Sequence, residues 1–280
     1  MIATALSPNH TSRVTSSKAP GLGAVLQSEW TKLRSLRSTW IMVSLAIGLS
    51  IGFSTAIAFV SGLTHDSWND TVRNQFDPIL TTLGGWLFGM ILVIVLAVTS
   101  VTSEYSSRLV RTTFITSPQR HRVFAAKAIV LVMLGLAISA ITIPGMFLIS
   151  QPIFAHYGLE TASVTDYEVA RYLLVGVILQ GLICTLIPFS FAWLLRNTAS
   201  AITVSIGFAV LPWMMTPLVP LWVKENVFRY LPDNAKDRLL GVLKPDAATY
   251  LGQTAAIAVI AIWITALLVT SAIALNQRDV

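Results

Sequence analysis

The stretch from Glu104 to Lys127 reads EYSSRLVRTTFITSPQRHRVFAAK, and its flanks read LFGMILVIVLAVTSV (87–101) and AIVLVMLGLAIS (128–139). One acid, five basic side chains and a histidine therefore stand between two runs that carry no charge. An apolar run of about 20 residues crosses the hydrocarbon of a bilayer as a helix, because a helix satisfies its own backbone polar groups there. Two such runs joined by a basic connection make a membrane hairpin with its bend at one surface.

The rest of the chain extends this reading. Of 280 residues, 54% are hydrophobic and 11% charged, with a mean hydropathy of +0.71; a soluble domain carries roughly 25% charged residues. Six apolar runs are predicted to span the membrane, at about 40–62, 79–101, 128–150, 169–194, 199–221 and 254–275. The expected fold is an all-α polytopic membrane protein of six transmembrane helices. The gap between the fourth and fifth runs, at Arg196 and Asn197, is short, which predicts a tight antiparallel hairpin. Pro212, Pro217 and Pro220 forbid a straight helix through the end of the fifth run, so it is expected to stop early and dip back before an outer loop at 222–253. In that loop Asn234–Gly241 is a candidate helix.

Basic residues set the orientation. With the N-terminus inside, 12 Lys and Arg fall on the inner face and 7 on the outer, while 3 acids fall inside and 10 outside. Membrane proteins concentrate Lys and Arg in short cytoplasmic flanks, so both termini are expected in the cytoplasm of a cell-membrane protein. The net charge of +6 is explained by this bias and calls for no nucleic acid. Residues 1–20 are rich in Ser and Thr and read as a disordered tail, without the cleavage pattern of a signal peptide, and 277–280 read as a cytoplasmic end.

Residues 21–39 precede the first run. Leu22, Val25, Leu26, Trp30, Leu33, Leu36 and Trp40 share one helical face, with Lys32 and Arg34 off it. This predicts an amphipathic helix at the membrane interface, with Trp30 and Trp40 at headgroup level and Lys32, Arg34 and Arg37 near anionic lipid. Glu29 falls inside the apolar arc, which points to a protein partner, a nearby Arg or a snorkelling side chain.

The spans hold no Lys, Arg, Asp, Glu or His in their interiors; their polar content is Ser, Thr and Gln180, expected to hydrogen-bond within or between helices. Ion-coupled carriers place an ionisable group near the midplane, so a secondary carrier is disfavoured. A cargo path, if present, is expected to be apolar and hydroxyl-lined, with Phe88, Leu92, Phe208 and Trp213 as candidate lining. Gly48 and Gly52, and Gly85 and Gly89, have the four-residue spacing of close helix packing. Cys184 is the single cysteine and the four histidines lie far apart in sequence, so no metal site is expected. No phosphate-binding loop, HExxH or nucleophile elbow is present, so no enzyme active site is expected, and uphill movement of a substrate needs energy from a partner.

Two stretches carry a family resemblance. EWTKLRSLRSTW (Glu29–Trp40) and the Glu104–Lys127 segment resemble the membrane subunit of ABC transporters of the type-2 permease class, in particular short six-span members of actinobacterial type. The matched positions in the second stretch are Glu104, Tyr105, Leu109, Val110, Arg111, Thr112, Thr113, Pro118, Arg120 and Lys127. The family often has Gly where this chain has Arg108, which adds charge here. The resemblance implies a permease that pairs with a second copy or a close relative and with two cytoplasmic ATPase subunits. ATP and Mg would be bound there, with no cofactor on this chain. It further implies that Glu104, Tyr105, Arg108, Arg111, Thr112, Thr113, Pro118 and Arg120 form the element coupled to the ATPase. The helix with Glu29, Trp30, Lys32, Arg34 and Arg37 would be the connecting helix. An exporter of a drug, antibiotic, lipid or similar amphiphile is the expected activity. A carrier without ATPase and a non-transporting scaffold or immunity subunit are the rival readings.

Overall fold

The computed structural model describes residues 21–106, 120–243, 245 and 247–277, and its long elements are helices. Helix α1 (Leu22–Ser35) ends at an extended Leu36, and α2 (Arg37–Thr64) follows at once. Short helices α3 (Asp70–Gln75) and α4 (Pro78–Thr82) lead through a 3-10 turn at Leu83–Gly85 into α5 (Trp86–Ser106). Then come α6 (Arg120–His156), α7 (Tyr167–Leu195) and α8 (Thr198–Met215). Short α9 (Leu221–Asn226), a 3-10 turn at Phe228–Tyr230 and α10 (Pro232–Leu240) precede the last helix, α11 (Gln253–Gln277). Among the described residues, six segments are long and apolar enough to cross a membrane: Arg37–Ser67, Pro78–Tyr105, His121–His156, Tyr167–Leu195, Thr198–Met215 and Gln253–Gln277. The chain is an all-α, multi-pass membrane protein.

Helix α7 is the centre of the bundle, packing on α5, α6, α8, α10 and α11. Its most apolar window is 61% buried, against 11% for α8 and 17% for α11, so those two helices leave most of their apolar surface uncovered. Phe189 and Trp193 of α7 form the core with Ile94, Val98 and Val101 of α5, Phe124 and Leu131 of α6, and Leu275 of α11. Small residues bring the backbones together. Any Cβ at Gly181 would overlap Leu136 of α6, and any Cβ at Gly85 would overlap the Ser50 carbonyl of α2. The pair Gly85 and Gly89 thus packs on α2 within the chain, whereas Gly48 and Gly52 face open space.

The second span is broken, where a continuous helix over 79–101 was expected. Asp77 Oδ1 accepts from the N–H groups of Ile79 (2.8 Å) and Leu80 (3.0 Å), which caps α4. The chain then tightens at Leu83–Gly85, where the missing glycine side chains let it lie against α2. The third span is longer than 128–150. Arg120–Lys127 continues the helix at one end and Gln151–His156 at the other, giving 37 residues, or about 55 Å. Neither Pro144 nor Pro152 ends it. Between α7 and α8, Arg196 adopts φ 52° and the Asn197 side chain accepts from Ser200 N at 3.0 Å, which makes the tight hairpin.

Helix α8 stops early, at Met215 and before the end of the apolar run at 221, and the chain continues through Pro217 and Pro220. Its α10, at Pro232–Leu240, is close to the sequence expectation and is terminated by Gly241 at φ 84°. This returning segment is anchored. Trp263 Nε1 donates to Tyr230 O (2.8 Å), Arg229 Nη2 to Tyr250 O (2.6 Å), Arg238 Nε to Leu251 O (2.9 Å) and Arg171 Nη2 to Leu240 O (3.2 Å).

Candidate functional site

Glu29 occupies the α1 position that apolar spacing reserves for a core residue. Val25, Glu29 and Leu33 recur every four residues, and all three are buried. The face predicted from sequence is therefore divided. Val25 and Leu33 turn inward, while Leu22, Trp30, Leu36 and Trp40 remain exposed, with Trp40 Nε1 donating to Arg34 O at 3.0 Å. Arg34 and Arg37 are also exposed. Glu29 itself is 3% exposed and needs a buried counter-charge.

Lys127 of α6 supplies it. Its Nζ lies 2.7 Å from Glu29 Oε2 and 3.0 Å from Glu104 Oε1 of α5, and donates to Ser100 O at 3.2 Å. Lys32 closes the group from α1, with Nζ 2.6 Å from Glu29 Oε1 and 3.0 Å from Glu104 Oε1. Two carboxylates and two ammonium groups alternate, so the cluster is neutral. Burial alone would lower the Lys32 pKa; the Glu29 hydrogen bond and the charges of Glu104 and Glu29 outweigh it and hold the group above its ordinary 10.5. Lys127 is only 4% exposed, so its loss would leave buried carboxylates unpaired. The arrangement joins α1, α5 and α6 at the ends from which residues 107–119 depart and return.

Tyr105 also turns into the bundle. Its ring meets Trp193 edge-on at 5.7 Å, and the Arg196 guanidinium lies 5.3 Å from its centroid. Of the other predicted coupling residues, Arg108, Arg111, Thr112, Thr113 and Pro118 lie outside the described residues, and Arg120 opens α6 without a described side chain. Glu104 is therefore a holder of helices α1 and α6, with its side chain 12% exposed. Sequence reasoning placed Lys127 at a helix entrance and missed its part in the site; the signal was Glu29, an acid on an apolar stripe.

The predicted lining residues do not form one surface. Phe88 stacks on Phe53 of α2 (centroids 3.7 Å apart), and Leu92 packs with Val93 and Leu134 between α5 and its neighbours. Trp213 is 68% exposed at the end of α8. Phe208 alone borders a crevice, with Phe191 and Trp263 against its ring. Sequence reasoning also left Asp233, Lys236 and Asp237 in an outer loop, whereas α10 carries them against the membrane helices. Among the described residues no group of three His, Cys, Asp or Glu is placed to hold a metal ion.

Comparison with curated proteins finds no match to the chain. The profile of the family described as ABC-2 family transporter protein matches residues 25–212, from the buried stripe of α1 through all but the end of α8. That match covers roughly two thirds of the chain and contains all four members of the charge cluster, and the chain belongs to the ABC-2 family of transporter membrane proteins.

Proposed function

We propose that this chain is the permease subunit of an ATP-driven exporter of amphiphilic molecules. Two cytoplasmic ATPase subunits bind its α1 end, and a second copy or close relative completes the path. Both termini lie in the cytoplasm, on the side where Lys and Arg are concentrated. The observation that carries the reading is the charge cluster of Glu29, Lys32, Glu104 and Lys127. The basic segment 107–119 leaves α5 two residues after Glu104 and re-enters α6 seven residues before Lys127. A push on that segment by an ATPase is therefore applied to α1, α5 and α6 together. Such a link suits a protein with no ATP site of its own sequence type.

The experiment is purification of the tagged chain from its native membranes, followed by identification of co-purifying proteins and assay of ATP hydrolysis. A stoichiometric subunit with a phosphate-binding Gly-rich Lys loop, lost when Arg111 is replaced by Ala, is the expected result. Retention of that subunit by Arg111→Ala and by a variant with Arg108, Arg111, Arg120 and Arg122 all replaced would overturn the coupling role of this segment.

A further inference from the structure

One face of α7 changes character near the start of the helix. Tyr167, Arg171, Leu174 and Ile178 follow one another at helical spacing and share that face. Leu174 and Ile178 are 68% and 51% exposed on a membrane-crossing helix, and acyl chains, as apolar as leucine, are their fitting neighbours. Arg171 stands one turn before Leu174, at the end of this apolar stripe, with its guanidinium 5.9 Å from the Tyr167 ring centroid. A cation at that level meets the headgroups of the lipids whose chains cover the stripe.

Arg171 also lines a cavity of about 480 Å³, bounded by the chain around α4, the start of α7 and the end of α10. Sites for small ligands commonly measure about 300–1,000 Å³. The guanidinium is poorly satisfied by the protein. Nη2 donates to Leu240 O at 3.2 Å, while Nε is buried without a partner. Gly241, at φ 84°, makes room for it, since any Cβ there would overlap the guanidinium. Asp77 and Glu168 line the same cavity. Asp77 is half-buried and caps α4 through Oδ1; Glu168 is exposed. Among the described residues neither carboxylate forms an ion pair, with Arg171 or with any other cation. One space thus holds both signs of charge, set apart from each other, beside a lipid-facing stripe.

We propose that this cavity binds the headgroup of an aminophospholipid. The phosphate accepts from the Arg171 guanidinium, whose planar fork suits phosphate oxygens. The primary ammonium donates to Asp77 and Glu168, and an acyl chain runs along Leu174 and Ile178. A trimethylammonium head has no N–H to donate, and a phosphoglycerol head brings no positive charge to the carboxylates, so both fit worse. The site uses no ATPase and does not rest on the transport reading.

The test is native mass spectrometry of the purified full chain, delipidated in detergent and titrated with phosphatidylethanolamine, phosphatidylcholine or phosphatidylglycerol of identical acyl chains. Saturable binding of one phosphatidylethanolamine per chain is expected, at least tenfold tighter than either other lipid. Arg171→Gln should weaken it at least tenfold. Asp77→Asn with Glu168→Gln keeps the α4 cap, since Asn also caps helices, and should bring phosphatidylethanolamine down to the level of phosphatidylcholine. Where Arg171→Gln fails to fold, this double variant carries the comparison. Glycerophosphoethanolamine, the same head without chains, should compete at least tenfold more weakly than the whole lipid. Equal binding of the three lipids, as in an unselective lipid shell, would overturn the proposal. So would full selectivity in the double variant, or glycerophosphoethanolamine competing as well as the lipid. None of these outcomes involves the ATPase, so the lipid site and the transport reading fail separately.

Discussion

Lys127 is the side chain on which the α1 end most depends. It is 4% exposed, touches both carboxylates of the cluster and has a carbonyl as its third acceptor. Breaking a buried pair from one side typically costs about 3–5 kcal/mol, because the other charge is left without a partner. Lys127→Ala should lower stability by about 3 kcal/mol in a denaturation series in detergent. Replacing Glu29 by Leu and Lys127 by Met together should recover most of that loss, since Lys32 and Glu104 still balance one another. A double variant as unstable as Lys127→Ala would show that packing, and not charge, explains the effect. Lys32 adds a pH dependence. Its folded pKa lies above 10.5, so its contribution is present below 10.5 and is lost as pH rises through the elevated value. Trp30 fluorescence, reporting on α1, should stay constant from pH 7 to about 10 and change only above that range.

The helices themselves show which elements a sequence can reveal. Apolar length makes each of the six spans legible, because a run without charges long enough for the bilayer has few other places to go. The break at Leu83–Gly85 was hidden, since hydropathy does not record that Gly85 must lie against the Ser50 carbonyl. The length of α6 was hidden for the opposite reason. Arg120–Lys127 looks like connecting chain by charge, yet it is helical because Val123 and Ala126 bury against Val25 and Leu26 of α1. Gly85→Val should force α2 and α5 apart and cost about 1–3 kcal/mol, read as a lower melting temperature of the purified chain. Gly48→Ala, on an open face with nothing within 4 Å, should change the same melting temperature little. Equal effects of the two substitutions would contradict the packing described for these helices.

At the scale of the whole molecule, two polar constellations lie toward the two ends of an otherwise apolar bundle. The α1 cluster was half legible, because Glu29 stood out on an apolar stripe while its partners Glu104 and Lys127 lay 75 and 98 residues away in sequence. The Asp233–Lys236–Asp237 group was not legible, since only tertiary folding brings α10 beside α7 and α11. The poor burial of α8 and α11 leaves broad apolar surfaces open to lipid and, in the proposed assembly, to a second permease. In the function proposed above, a separate ATPase drives this chain through segment 107–119 and the α1 cluster. The most direct test is ATP hydrolysis by the complex purified in nanodiscs, with the native chain and with Arg111→Ala. The expected result is a complex of two permeases and two ATPases whose hydrolysis or ATPase retention falls at least tenfold in the variant. A stable native assembly with one permease and no nucleotide-binding subunit would contradict it.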